Sequence, residues 1–184
     1  YPAPMYNKQY YNSVDTLMGI SKQTVNINKL VLGEDAKDKV IEYVPHGIDE
    51  EAFYPITKEH PSWDNFTNFR KDLFGEKEIE YVVFFNSRNI QRKHPGDTIL
   101  AYKYFCDKIG PEKAKKCALV MKGEISSPHG TDLRAVRDAI CDTEYVNVFF
   151  NEERLTPEQM NMLYNVADVN VLMSSNEGWG LSLT

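Results

Sequence analysis

The sequence predicts an α/β fold in which helices cover a parallel sheet on both faces. Short β-rich runs alternate along the chain with longer segments of helical periodicity, an order typical of layered α/β domains. Several of these runs are continuously apolar, as strands buried on both faces are. The runs are Val14–Ile20, Val40–Val44, Tyr81–Phe85, Ala118–Met121, Val146–Phe150 and Val169–Met173.

The composition is that of a packed globular protein. Of the 184 residues, 42% are apolar and 26% are charged, and no apolar run reaches the ~20 residues of a membrane helix. The net charge of −6 argues against a nucleic-acid-binding surface over the whole molecule. The first residues resemble no signal peptide and lack an initiator methionine, so we expect an N-terminus that has been cut.

The cysteines indicate a reducing compartment. Cys106, Cys117 and Cys141 are odd in number and have neither paired spacing nor clustered histidines. We therefore expect free thiols, no zinc site and a cytoplasmic protein (in the host cytoplasm if a virus encodes it).

Periodicity and capping signals predict three clear helices. Asp97–Ile109 and Thr131–Ile140 each carry an apolar face. The third helix begins after Thr156, which can act as the N-cap, with Pro157 at the first helical position. Gln159 completes a capping box with Thr156.

A change in composition divides the chain. Pro45–Asp49 is a Pro/Gly turn after a strand, and the polar stretch that follows has helical character around Asn65–Phe74. We predict that residues 1–45 are the C-terminal tail of one α/β domain and that residues 46–55 are an interdomain junction. Residues 56–184 are then the first part of a second domain, which contains four strands.

A basic loop follows the apolar run that ends at Phe85. Arg88, Arg92 and Lys93 fall in this loop, just before a helix predicted to begin near Pro95. Ligands bind beyond the carboxyl ends of strands in open α/β sheets, and a helix N-terminus favours anions. The loop therefore suits a phosphate or diphosphate, although a merely solvated basic loop is an equal alternative.

A second candidate loop follows Val169–Met173. Its sequence, SSNEGWG, places Glu177 among glycines that let the backbone approach a ligand and direct N–H groups outward. A carboxylate there can accept hydrogen bonds from sugar hydroxyls, and the alternative is a glycine-stabilised turn with a solvated Glu. Both loops leave the same edge of the sheet if the strands are parallel.

Four further polar residues are weaker candidates. His46 lies in the Pro/Gly turn and is expected to be structural, while His94 and His129 are expected to face solvent in loops. Asp168 precedes a strand and is expected to be a turn acid. The chain has no P-loop, no metal-ligand spacing and no Ser-His-Asp order.

Three segments, taken in order, resemble one family. The run LYNVADVNVLMSSNEGWGLSLT resembles the donor-site signature of the GT-B retaining glycosyltransferases of family 4, with Glu177 as the first of its two acids. The second acid would come one residue after Thr184. IEYVPHGIDEEAFYP resembles the interdomain junction, with His46 in place of the usual Asn, and FFNSRNIQRKHP carries the expected Arg88 and Lys93.

The resemblance implies a GT-B type Rossmann-like donor-binding half, truncated at its C-terminal end, after the tail of a preceding domain. Arg88 and Lys93 would bind the diphosphate of a nucleotide-sugar, Glu177 would hold sugar hydroxyls, and the base would lie near 151–155. The implied catalytic residues are Arg88, Lys93 and Glu177, and the implied donor-binding residues are Ser87, Arg88, Lys93, Glu177, Gly178, Trp179, Gly180, Leu181 and Ser182.

The same resemblance implies a reaction. A hexose would pass from a nucleotide-diphosphate sugar, GDP-mannose slightly ahead of a UDP-hexose, to a carbohydrate, lipid or protein-glycan acceptor with retention of configuration. No metal or other cofactor is expected. Peripheral membrane contact would come through the missing N-terminal domain, and this chain alone is expected to be an inactive fragment. A non-catalytic nucleotide-sugar-binding module and a GT-B type nucleotide-sugar epimerase remain as alternatives.

Overall fold

The computed structural model describes residues 8–184, and this part of the chain divides into two units. The units are the described residues up to Ile48 with Asn176–Ser182 and Thr184, and Asp49–Ser175 with Leu183. Residues 1–7, the start of the predicted first domain, lie outside the described residues.

The first unit is built on a two-stranded parallel sheet. Its elements are α1 (Lys8–Asn12), β1 (Thr16–Gly19), α2 (Lys22–Leu32), a 3-10 helix (Gly33–Asp38) and β2 (Val40–Tyr43). The two strands confirm two predicted runs. Ser21 caps α2, since its hydroxyl accepts a hydrogen bond from the Thr24 N–H at 3.1 Å. Leu17 of β1 and Leu32 of α2 are both buried in this unit.

The second unit contains a four-stranded parallel sheet in the order β5-β4-β3-β6. Its strands are β3 (Tyr81–Asn86), β4 (Cys117–Lys122), β5 (Val148–Asn151) and β6 (Val169–Asn170). All three neighbouring pairs are parallel, so the loops that follow the strands leave one edge of the sheet. The predicted parallel α/β architecture is confirmed.

Helices cover both faces of this sheet. They are α3 (Trp63–Phe74), α4 (Pro95–Ile109), α5 (Pro111–Ala114), α6 (Leu133–Ile140) and α7 (Pro157–Val166). Phe74 of α3 and Leu163 of α7 share one core cluster with Phe84, whereas Ile99 of α4 shares the other with Leu119. Because successive strand residues alternate between the two clusters, the strands are apolar at nearly every position.

Helix starts follow local chemistry closely. α7 has the predicted capping box: the Gln159 N–H donates to Thr156 Oγ1 at 3.3 Å, and the Thr156 N–H donates to Gln159 Oε1 at 3.0 Å. α6 begins later than predicted because Asp132, not Thr131, accepts from its first N–H groups. The longest helix of the described chain, α4, has 15 residues, and none is long and apolar enough to cross a membrane.

β6 is shorter than predicted. Val169–Met173 was expected to be a strand, but only Val169–Asn170 pairs with β3. The Val171 N–H still donates to the Phe84 carbonyl at 2.9 Å, after which the chain leaves the sheet. The Ser175 N–H instead donates to the Arg92 carbonyl, so hydrogen bonding to a neighbouring loop ends the strand.

Candidate functional site

The basic loop lies at the carboxyl edge of the sheet, between β3 and α4. Arg88 follows the strand by two residues, and Arg92 and Lys93 form part of the 3-10 helix Gln91–Lys93. His94 then adopts a left-handed conformation, with φ of 48° and ψ of 47°, and turns the chain into α4 at Pro95. Three cations therefore precede the N-terminus of a helix with 15 residues, where the helix dipole favours anions.

Asn89 anchors the basic loop to the loop after β4. Its side chain is 1% exposed, and its Nδ2 donates to the carbonyls of Ile125 at 3.2 Å and Thr131 at 2.6 Å. Its Oδ1 accepts from the Thr131 N–H at 3.1 Å. A buried amide with all of these bonds made holds the two loops in a defined register. The sequence prediction missed Asn89, because nothing local distinguishes it from its polar neighbours.

Two glycines allow the same pair of loops to approach closely. A Cβ at Gly123 would lie 2.3 Å from the Ser87 carbonyl oxygen. A Cβ at Gly130 would lie 2.1 Å from Asn89 Oδ1 and 2.4 Å from the Asn89 carbonyl oxygen. Both distances are far below van der Waals contact, so the backbones pack as they do only because these residues lack side chains.

The loop after β5, where the base was predicted to lie, is tied to the loop after β4. Glu152 Oε1 accepts from the Ile125 N–H at 2.7 Å, and Lys122 Nζ donates to the Glu153 carbonyl at 2.8 Å. Asn151 Oδ1 is a buried acceptor that has no hydrogen-bond partner among the described residues. At the carboxyl edge of the sheet, the loop after β4 is thus hydrogen-bonded both to the loop after β3 and to the loop after β5.

The loop after β6 reaches the basic loop from the other side. The Ser175 N–H donates to the Arg92 carbonyl at 3.0 Å, and the Ser175 hydroxyl lies 3.4 Å from the same oxygen. β3 and β6 are neighbours in the sheet. The prediction that the two candidate loops leave one edge is therefore confirmed for their first residues.

The segment with the predicted sugar-binding residues belongs to the first unit. Gly180 has φ of 88°, and a 3-10 helix, Leu181–Leu183, follows it. Within the first unit, the Trp179 ring meets His46 edge-on at 6.2 Å between centroids. Glu177 and Gly178 are half-buried. The structure thus brings Ser87, Arg88 and Lys93 together on one loop, while Glu177–Ser182 fall in the other unit.

The weaker candidates have structural surroundings. Asp168 Oδ2 accepts from the Val82 N–H at 2.7 Å, so this acid fastens the start of β6 to β3 as expected of a turn acid. His94 Nδ1 lies 3.0 Å from Asp97 Oδ2, and the exposed His129 accepts through its carbonyl from the Gln91 N–H. His94 and His129 both line an open cleft of about 760 Å³ beside α4.

The three cysteines are free thiols, as predicted. Cys106 is fully buried, and burial raises the pKa of its thiol to about 11. Burial also raises the pKa of Cys117 and Cys141. Thiols held neutral in this way are poor nucleophiles. Cys106 and Cys117 belong to one core cluster and Cys141 packs against it.

Comparison with known proteins gives matches at the level of structure only. No protein-family model matches the chain, and no curated protein sequence matches it either. Sucrose-phosphate synthase from Thermosynechococcus elongatus matches 88% of this chain with a TM-score of 0.55 and 18% identity. The trehalose-6-phosphate phosphatase N-terminal domain of Candida albicans matches 93% with a TM-score of 0.64 and 15% identity.

A third solved structure is also similar to this chain. The α,α-trehalose 6-phosphate synthase of Burkholderia multivorans matches 92% of this chain with a TM-score of 0.59 and 10% identity. The chain spans 41%, 44% and 41% of the three structures, which is less than half of each. The two synthases are GT-B-like glycosyltransferases. At these identities the likeness shows a shared fold, the Rossmann-like parallel α/β arrangement of the GT-B type.

Proposed function

We propose that this chain carries the nucleotide-sugar-binding part of a glycosyltransferase that moves a hexose with retention of configuration. One observation carries the proposal: the basic loop Ser87–His94 stands at the carboxyl edge of a parallel sheet, before the N-terminus of α4. Neighbouring loops hold it through Asn89 and the Arg92 carbonyl. A loop fixed in this way can present cations to an anion without reorganising.

Arg88 and Lys93 bind the diphosphate in this proposal. When the bond between sugar and phosphate breaks, positive charge develops on the sugar ring and negative charge on the departing diphosphate. Fixed cations and N–H dipoles aimed at the diphosphate stabilise that distribution of charge. Cations on the protein could therefore activate the leaving group, and we propose that the reaction needs no metal.

Glu177 and the segment after it recognise the sugar in the same proposal. The Glu177 carboxylate accepts hydrogen bonds from sugar hydroxyls, and the N–H groups of Gly178 to Ser182 contact the sugar and the phosphates. The left-handed conformation of Gly180, with φ of 88°, favours a residue without a side chain. Two features of the segment support this role: it places a carboxylate among glycines, and it follows strand β6 in the chain.

We favour GDP-mannose slightly over a UDP-hexose as the donor, and a carbohydrate, lipid or protein glycan as the acceptor. Free thiols suit a reducing compartment such as the cytoplasm, which is where we propose that the protein works.

Calorimetric titration tests the proposal. GDP, UDP, GDP-mannose and UDP-glucose are each titrated into the protein, and the longest native polypeptide is then incubated with the tighter donor and candidate acceptors. We expect saturable binding of one nucleoside diphosphate and transfer of the hexose from the matching nucleotide-sugar to an acceptor. Absence of any nucleotide binding overturns the proposal. Binding without transfer favours a non-catalytic module, and conversion of the free nucleotide-sugar to an epimer favours an epimerase.

A further inference from the structure

One face of α7 contacts the strand that leads into the basic loop. Tyr164 lies on this face, and its hydroxyl accepts a hydrogen bond from Asn86 Nδ2 at 2.8 Å. Asn86 is the last residue of β3 and stands two residues before Arg88. The Asn86 amide therefore connects the helix directly to the point where the strand becomes the loop.

Packing holds the Tyr164 ring in place. The ring meets Phe84 of β3 edge-on, with 5.3 Å between centroids and an interplanar angle of 86°. It meets Phe53 in the same way at 6.0 Å and 81°. Phe84 is 1% exposed, so the first of these contacts lies in the core. Edge-to-face contacts on two sides limit ring motion, and they fix the hydroxyl opposite the Asn86 amide.

Two further side chains on this face hold an extended segment of the chain. Asn161 Oδ1 accepts from the Tyr54 N–H at 3.1 Å, and Asn165 Oδ1 accepts from the Ile56 N–H at 2.7 Å. Asn165 Nδ2 donates to the Tyr54 carbonyl at 3.0 Å. Residues four apart on a helix lie on one face, so the two amides replace the hydrogen bonds of a neighbouring strand. Phe53, which precedes this clamped segment, is thereby held against Tyr164.

We infer that Tyr164 is a positioning residue for the basic loop. Its hydroxyl orients Asn86 and so sets the direction in which β3 enters the loop with Arg88. The hydrogen bonds that join Asn161 and Asn165 to Tyr54 and Ile56 fix the segment that follows Phe53, whose ring contacts Tyr164. The loop is thus held at three points: at its start by Tyr164, in its middle by Asn89 and near its end by the Ser175 contact with Arg92. The role in ligand binding rests on the proposed function.

Tyr164→Phe is the direct test, because it removes one oxygen and leaves the ring. We expect the dissociation constant of the preferred nucleoside diphosphate to rise about three- to tenfold, the range of one neutral hydrogen bond. Asn86→Ala should weaken binding similarly. The double variant should lose no more than the larger single loss, since both changes remove the same interaction.

Tyr145→Phe is the matched control. It also removes a phenol hydroxyl, one that donates to Asp107 Oδ1 at 2.8 Å, but Tyr145 precedes β5 and so lies toward the amino edge of the sheet. We expect it to leave nucleotide affinity unchanged. An equal loss in Tyr145→Phe, or additive losses in Asn86→Ala and Tyr164→Phe, would overturn the inference.

Hydrogen exchange separates this inference from the proposed function, because it needs no ligand. Mass spectrometry of the ligand-free protein should show faster amide exchange over residues 87–94 in Tyr164→Phe than in the wild type, and no change there in Tyr145→Phe. Unchanged exchange over 87–94 overturns the positioning role whatever the nucleotide data show. Failure of the wild type to bind any nucleotide overturns the proposed function alone.

Discussion

Lys93 stands in the 3-10 helix that leads into α4, and the proposal assigns it to the diphosphate. Lys93→Ala should weaken binding of the free nucleoside diphosphate by roughly 1.5–3 kcal/mol, the value of a charge-assisted hydrogen bond. Calorimetric titration of GDP and UDP measures the loss. Lys115→Ala is a suitable control, since Lys115 is exposed and pairs with Glu112 at 3.2 Å. Equal affinities of Lys93→Ala and the wild type for the nucleoside diphosphate would contradict the proposal that Lys93 binds the diphosphate.

Glu177 is proposed to recognise the sugar, not the nucleotide. Glu177→Ala should therefore weaken binding of the nucleotide-sugar by about 10- to 100-fold, the range of one charge-assisted hydrogen bond, and should affect the bare nucleoside diphosphate much less. Parallel titrations of GDP-mannose and GDP, or of UDP-glucose and UDP, measure the difference. The same loss for both members of a pair would contradict the role given to Glu177.

Some residues of the candidate site stand out in the sequence and others do not. Arg88 and Lys93 are candidates because two charged residues follow a buried apolar run and precede a helix start, which are local signals. Asn89 was not visible. Its partners Ile125 and Thr131 lie 36 and 42 positions away, so the chain must fold before its amide has anything to bind.

At the scale of elements, the close approach of the two loops at Gly130 is sensitive to any added side-chain atom. A Cβ there would lie 2.4 Å from the Asn89 carbonyl oxygen, which is backbone and cannot rotate away. We expect Gly130→Ala to lower the free energy of unfolding by about 1–3 kcal/mol, as overpacking does, and to weaken nucleotide binding. Urea unfolding and calorimetry measure the two effects.

Gly47→Ala provides the comparison for this change. Among the described residues, no atom lies within 4 Å of a Cβ added at Gly47, and the φ of Gly47 lies outside the left-handed region. The same substitution should therefore be nearly neutral there. Equal destabilisation by the two variants would mean that the contact between Gly130 and Asn89 does not determine the effect.

Elements whose ends are set by neighbouring residues were predicted well. The capping box of Thr156 and Gln159 placed the start of α7 correctly, because all of its hydrogen bonds are local. The predicted end of β6 was wrong, because the apolar run continues to Met173 whereas pairing with β3 stops at Asn170. What ends the strand is the bond from Ser175 to Arg92, which lies 83 positions earlier in the chain.

The stability of the whole molecule should depend on pH through Cys106. Burial raises the pKa of this thiol to about 11 in the folded protein, above the ordinary value of 9.0. Between these values the unfolded chain loses its thiol proton while the folded protein keeps it. The free energy of unfolding therefore falls as the pH rises from 9 toward 11. Chemical denaturation across this range should show a shallower fall in Cys106→Ala, and an unchanged slope would contradict the assignment.

By itself, the sequence determined the fold class of this protein and the order of its elements. Apolar runs of strand length, helical periodicity and capping residues act over a few positions, so they can be interpreted before the chain is folded. Only the tertiary structure decided how the basic loop is held, through Asn89, Gly130, Ser175 and Tyr164. Those contacts join residues distant in sequence, and they exist only because parallel strands bring their carboxyl ends to one edge of the sheet.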